Sequence, residues 1–270
     1  MSPLTFTLKG EPAQRLDLAP LTPNGLAGKA RGEIERIELQ TTRERVNVGD
    51  VFRVGGADPR TIVIEGGAER LDRVGMGMTT GEMLVEGEVG AQAGRLMAGG
   101  RLTIRGGAGP FAASGMKGGA IAIAGDAGER LGGPLAGETM GMRGGLAHVR
   151  GSAGERLGDR LRRGVVLVEG RAGAYAGSRM IAGTIAIGRE AGDLPGYLMN
   201  RGTILIGAGA TVLSPTFVDC GEYELVASRL LASYVATVSA SLARLFRGPV
   251  RRLAGDLAAL GKGEIFLPRP

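Results

Sequence analysis

GRLMAGGRLTIRG, residues 94–106, contains the unit from which most of this chain is built. Gly94 is followed three residues later by Met97 and three further on by Gly100. A short run then alternates polar and apolar, Arg101-Leu102-Thr103-Ile104-Arg105, and closes on Gly106. Alternation of this kind puts Leu102 and Ile104 on one face of a β-strand. The flanking glycines suit bends that need a positive φ or a close approach of backbone to backbone.

Outward from this stretch the unit recurs. Aligned on their strands, the segments read TIVIEG from Thr61, EMLVEG from Glu82, RLTIRG from Arg101, AIAIAG from Ala120, LAHVRG from Leu146, VVLVEG from Val165, TIAIGR from Thr184 and TILIGA from Thr203, in steps of 21, 19, 19, 26, 19, 19 and 19 residues. The methionine column reads Met78, Met97, Met116, Met142, Leu161, Met180 and Met199, with Val218 in a degenerate eighth copy. A period of 19 is too short for a strand plus a full crossover helix, yet long enough for one turn of a coil of short strands joined at glycine corners. Stacked coils pair strand over strand about 4.8 Å apart. The pairs Ile62 and Ile64, Met83 and Val85, Leu102 and Ile104, through to Ile204 and Ile206, then become interior ladders. Unbranched methionine suits the irregular middle of a narrow tube.

Composition agrees. Fifty glycines in 270 residues, 4% aromatics and no tryptophan describe a core filled without large rings, and 43% hydrophobic residues are enough to bury one. One cysteine, Cys220, excludes an internal disulfide framework, and one histidine, His148, leaves no Cys/His set for structural zinc. MSPLTFTLKG at the N-terminus lacks the apolar run of a signal peptide, and no segment approaches the roughly 20 apolar residues of a membrane span, so a cytoplasmic location is expected.

Residues 1–55 fall outside the period and read as a small cap, with β-like alternation in RVNVGDVFRV, residues 45–54. From about Ala227, Leu230, Leu231, Tyr234, Val235, Val238, Leu242, Leu245 and Phe246 recur at helical spacing up to Gly248-Pro249. Val250, Leu253, Leu257 and Leu260 predict a second, shorter helix ending at Gly261. The 26-residue step carries seven extra residues within GERLGGPLAGETMG, residues 128–141. Such a loop reads either as a neutral insertion or as a place where partners or ligands bind.

The run G-x-x-M-x-x-G-x-[IL]-x-[IV]-x-G in seven copies, with VGDVFRV upstream, resembles the C subunit of formylmethanofuran dehydrogenases and, more specifically, the C subunit of the bacterial formyltransferase/hydrolase complex. The likeness covers residues 45–221. It is also similar to the glycine-repeat domain of glutamate synthase. The expected architecture is therefore all-β: a right-handed parallel β-helix of about eight coils over residues 56–225, a cap over 1–55 and a C-terminal helical extension over 226–270. The resemblance implies a non-catalytic member of an enzyme complex. It would join sister chains, a formyltransferase subunit, an amidohydrolase-type subunit and a molybdopterin-enzyme-like subunit, which move formyl from formyl-tetrahydromethanopterin to a methanofuran-type carrier and release formate. No cofactor would be held covalently by this chain. The C subunit of a molybdenum or tungsten formylmethanofuran dehydrogenase, and a glutamate-synthase-type β-helix protein, are the alternatives.

Two surface features bear on that role. Residues one after the methionine column stack on the outside, so Lys117, Arg143 and Arg162 form a basic stripe, with Arg160, Arg163, Arg179 and Arg201 flanking it. Like charges about 5 Å apart repel unless water, salt or an anion intervenes. The glutamate tail of the carrier is one such anion, which makes Lys117, Arg143, Arg162, Arg163 and Arg201 candidate carrier contacts; solvated arginines are the plain alternative. The outward positions Ala120, Ala122, Ala124, Leu146, Val165, Leu167, Thr184, Ala186, Thr203 and Leu205 are uncharged, so the C-terminal helix, a sister chain or both lie over them.

Chemistry within the chain is sparse. His148 lies between Ala147 and Val149 and should point outward, as surface or interface; Cys220 reads as a small apolar filler. Carboxylates form no paired motif and no metal-ligand spacing occurs. The 19-residue period and a single histidine within a strand argue against a hexapeptide acyltransferase, and three asparagines with no export signal argue against an exported polysaccharide lyase. Nucleic acid and membranes are not expected as partners, because 33 basic residues are balanced by 27 acidic ones and aromatic platforms are missing.

Overall fold

The computed structural model describes residues 2–41, 43–224 and 226–268. The N-terminal part comprises β1 (Pro3–Leu8), β2 (Leu16–Asp17), helical turns α1 (Pro23–Leu26) and α2 (Arg31–Glu35), β3 (Glu38–Leu39), β4 (Val46–Asn47), α3 (Val48–Val51) and β5 (Phe52–Gly55). The repeats supply β6 (Asp58–Glu65), β7 (Leu71–Asp72), β8 (Glu82–Glu86), β9 (Arg101–Ile104), β10 (Ala120–Ile123), β11 (Arg143–Val149), β12 (Arg163–Val168), β13 (Thr184–Ile187) and β14 (Arg201–Ile206). After them come β15 (Val218–Tyr223), α4 (Val226–Ala236), α5 (Ala240–Leu245), β16 (Val250–Gly255) and β17 (Lys262–Pro268).

The protein is mostly β, with one large, mostly parallel sheet ordered β15-β16-β17-β14-β13-β12-β11-β10-β9-β8-β6-β1-β5. Its register is the one the repeat predicts. Thr61 pairs with Glu82, Glu82 with Arg101, Arg101 with Ala120, Ala120 with Leu146, Leu146 with Val165, Val165 with Thr184 and Thr184 with Thr203. The inward pairs from Ile62 and Ile64 to Ile204 and Ile206 are all buried in one core, and the methionine column from Met78 to Met199 is buried with them.

A second parallel row runs beside the first. Ala68, Val89, Ala108, Ala127, Ala153, Ala172, Ala191 and Ala210 are bridged in succession at the same steps as the strands. Small residues there let the backbones of neighbouring repeats approach at a corner.

Both ends differ from expectation. β1 lies outside the sequence period but pairs in parallel with β6, Leu4 beside Ile62 and Phe6 beside Ile64, and so extends the ladder by one layer. The alternation read over 45–54 is interrupted by α3, which Asn47 enters with its backbone N–H bonded to the Asp50 carboxylate at 2.8 Å. β5 then turns back antiparallel to β1, and Phe52 meets Phe6 edge-on with centroids 5.9 Å apart.

At the other end the single helix expected up to Gly248 is two. Thr237 and Val238 are β-branched, and the Ser239 hydroxyl accepts from Leu242 N–H at 3.3 Å to start α5, so a cap replaces helix continuation. The predicted helix over 250–260 is corrected outright. Val250 and Leu253 lie in β16, while Leu257 and Leu260 are exposed in the turn that follows. β17 then pairs in parallel with β14, Ile204 beside Ile265 and Leu205 beside Phe266, and supplies the next layer of the ladder. The sheet's hydrogen-bonding edge therefore outweighs helical spacing in a short segment. Val218, read as a degenerate repeat, is 50% exposed on β15 and does not enter the core.

α4 and α5 lie against the outer sheet face. Ala232, Val235, Leu242, Ala243 and Phe246 form a second core with Leu167, Ala186, Leu205, Val250 and Phe266. The helices thus cover the outward patch from Leu146 to Leu205 and leave Ala120, Ala122 and Ala124 at the margin.

Candidate functional site

The basic stripe begins in backbone geometry. Lys117 N–H donates to Met97 O at 2.7 Å, Arg143 N–H to Met116 O at 2.6 Å and Arg162 N–H to Met142 O at 2.9 Å. Each residue therefore sits one layer above the last. Lys117 and Arg162 are exposed and Arg143 is half-buried. Ala98 precedes them and Ile181 follows at the same site, so the stripe is three residues long. Arg163 stands beside Arg143 across β11 and β12. Arg201 is not part of this group: it pairs with Lys262 of β17, and Ala182 occupies the layer between it and Arg163.

The inserted loop folds back beside the stripe and is clamped there. Arg95, only 11% exposed, donates from Nη2 to Glu138 Oε1 at 2.6 Å and from Nη1 to Ser114 Oγ at 3.1 Å. Glu138 Oε2 accepts from Leu135 N–H at 3.0 Å, which closes the loop on itself. Arg160 donates to the Glu138 carbonyl at 3.1 Å, and the Arg162 guanidinium lies 3.3 Å from Met140 Sδ. The bond from Arg95, the Leu135 amide and the charges of Arg95 and Arg143 hold the Glu138 carboxyl below the usual carboxylate range, against the opposing effect of burial.

Between loop and repeats lies a cavity of about 260 Å³ that reaches Arg130, Asp159, Arg160 and Arg179. Arg179 is neutralised within it. The fully buried Asp159 accepts a fork of two bonds from Arg179 and a third from Ser178 Oγ at 2.9 Å. Of the expected flanking cations, Arg160 faces a carbonyl and Arg179 a carboxylate.

Sequence reading missed a second arginine feature. Phe111, Arg130, Arg156 and Tyr175 occupy one corner in successive layers, each with φ between +55° and +62°. The Arg130 guanidinium sits 5.7 Å from the Phe111 ring centre and that of Arg156 4.8 Å from Tyr175. The signal was present as a column at steps of 19, 26 and 19 residues.

His148 is outward on β11, as expected, but it is not a surface residue. It is 7% exposed, and its Nε2 lies 2.9 Å from Oε1 of Glu169, the residue that follows the neighbouring strand β12. Glu169 Oε2 is in turn reached by Ser241 Oγ at 3.4 Å. This bond ties the sheet to its helical cover. Cys220 is half-exposed on β15, the last strand of the sheet, and so is not a core filler. Among the described residues no cluster of three His, Cys, Asp or Glu could hold a metal ion, and no helix is long and apolar enough to cross a membrane.

Stacked repeats, a clamped loop and a short cationic row define a repeat-built, mostly β protein whose distinctive features lie on its surface. The chain belongs to the family of the C subunit of the formyltransferase/hydrolase complex Fhc. It is 54% identical over 264 residues to that subunit from Methylorubrum extorquens, covering 98% of this chain and 99% of the relative. A chain of the crystal structure of the formyltransferase/hydrolase complex FhcABCD from the same organism, in complex with methylofuran, superposes with a TM-score of 0.93 at 46% identity, over 98% of this chain and 100% of that one. The C subunit of the tungsten-containing formylmethanofuran dehydrogenase 2 of Methanothermobacter marburgensis is 35% identical over 99 residues, covering 35% of this chain and 37% of the relative. No protein-family model matches the chain.

Proposed function

We propose that this chain is the scaffold of a cytoplasmic formyltransferase/hydrolase complex that transfers formyl from formyl-tetrahydromethanopterin to a methanofuran-type carrier and releases formate. The observation that carries the reading is the full-length likeness to a chain of a complex that holds methylofuran. The hydrolytic complex is preferred to the tungsten dehydrogenase because the latter likeness covers only 35% of the chain. In this reading the reactive groups belong to sister chains, a formyltransferase subunit, an amidohydrolase-type subunit and a molybdopterin-enzyme-like subunit, and this chain joins them.

The ladders are read as one right-handed parallel β-helix of about eight coils. The strand ladder, the alanine row and the stacked turns, all in step, support this winding. The carrier's glutamate tail is assigned to the stripe of Lys117, Arg143 and Arg162, with Arg163 beside it and Arg201 further along. Support comes from the stacking of three cations in successive layers, whose repulsion an anionic chain would relieve.

Formyl transfer and formate release, assayed on the isolated chain, on the assembled complex and on an assembly made without this chain, test the proposal. The complete complex alone is expected to turn over. Activity of the isolated chain, or full activity without it, would overturn the scaffold role.

A further inference from the structure

The helical cover stops short. Along the middle of the outer sheet face, Val63, Leu84, Thr103, Ala122, His148, Leu167, Ala186 and Leu205 succeed one another across paired strands. His148, Leu167, Ala186 and Leu205 are buried, whereas Val63, Leu84, Thr103 and Ala122 are only half-buried. The step between Ala122 and His148 is a groove of about 610 Å³. Its floor is Thr103, Ala122 and Ala124, and its wall is the end of the first covering helix at Tyr234 with Thr237 and Val238.

Two further features mark the groove as unfinished. On α4, Val226, Leu230 and Tyr234 lie four residues apart on one helix face and are 74%, 70% and 46% exposed, an apolar stripe that leads to the wall. Arg101, Arg105 and Arg150 also line the groove. Arg105 has an exposed partner in Glu86 at 3.3 Å, while Arg101 and Arg150 have no carboxylate partner among the described residues.

We infer that this groove and the adjoining face of α4 are the seat of a sister chain of the complex, which presents an apolar segment flanked by carboxylates. The inference rests on the assembly reading above. An apolar segment completes the cover over Thr103 and Ala122, and its carboxylates face Arg101 and Arg150. A second copy of this chain fits poorly, because an isologous contact sets these arginines against their own counterparts.

The test co-expresses this chain with its three sister chains and weighs the purified assemblies by native mass spectrometry. Three forms are compared: wild type, Ala122→Glu, and the double variant Arg101→Glu/Arg150→Glu. Circular dichroism melts of the isolated chains confirm that the variants fold. At least a tenfold loss of one and the same sister chain in both variants is expected. Assembly of both variants at the wild-type level, or a wild-type homodimer that Ala122→Glu abolishes, overturns the inference while leaving the assembly reading standing. Failure of the wild type to assemble overturns both.

Discussion

Met180 and Gly202 share one space in successive layers: a Cβ at position 202 would lie 2.6 Å from the Met180 Cε and 2.9 Å from the Gly183 carbonyl oxygen. Gly202 also has φ +107°, where L side chains are strained. The methionine of one repeat thus occupies the room that the glycine of the next leaves open, and the two columns form one packing device. Gly202→Ala is expected to destabilise the protein by about 1–3 kcal/mol, from strain together with displaced packing. Urea unfolding measures it; an unchanged midpoint would show that methionine and glycine are not interlocked.

The cover of the outer face depends on Phe246, which is fully buried against the strands from Leu167 to Leu205. Phe246→Ala is expected to cost about 3–5 kcal/mol. Hydrogen exchange would locate the damage in α4, α5 and the strands beneath, with the repeats from β6 to β9 keeping their protection.

In the same cover, the Ser228 hydroxyl is buried and has no hydrogen-bond partner among the described residues. Ser228→Ala removes an unsatisfied polar group and raises helix propensity, so a gain of up to about 1 kcal/mol is expected in thermal unfolding. A loss would reveal a partner for this hydroxyl.

The loop clamp carries a pH signature. Since the folded Glu138 carboxyl is held below its ordinary value, chiefly by Arg95, its contribution is present above the unfolded-chain pKa of about 4.3 and is lost as pH falls through the folded value. At pH 7, Glu138→Gln should cost no more than about 1 kcal/mol, because the carboxylate is partly exposed. Paired unfolding curves should converge as pH falls below that unfolded-chain value. A difference that persists there would assign the effect to packing.

The order of the ladder was legible because an apolar period survives wherever side chains alternate across a packed wall. Thr61, Glu82, Arg101 and Ala120 meet as the alignment requires. The C-terminal strands were not legible, since Val250, Leu253, Leu257 and Leu260 fit a helical period equally well. Val250 and Leu253 are strand because β16 is held between β15 and β17, and β17 is seated on β14, some sixty residues before it in the chain, while Leu257 and Leu260 fall in the turn between β16 and β17. The stripe at Lys117, Arg143 and Arg162 followed from the same period. What the loop does to its neighbours did not follow, because the pairing of Glu138 with Arg95 spans 43 residues and leaves no local pattern.

If the stripe holds the carrier's tail, Lys117→Glu, Arg143→Glu and Arg162→Glu combined should lower carrier content several-fold in the purified complex, while the chain keeps its melting temperature. Carrier extracted and quantified by mass spectrometry gives the answer. Unchanged content would leave these cations as solvated surface.

Membership of a formyl-handling assembly is decided by native mass spectrometry of the tagged chain purified gently from its own cells. One assembly is predicted, containing this chain, three sister chain types and a methylofuran-type carrier that is released on denaturation. A chain recovered alone, or with redox partners that hold a molybdenum or tungsten centre, would contradict the reading.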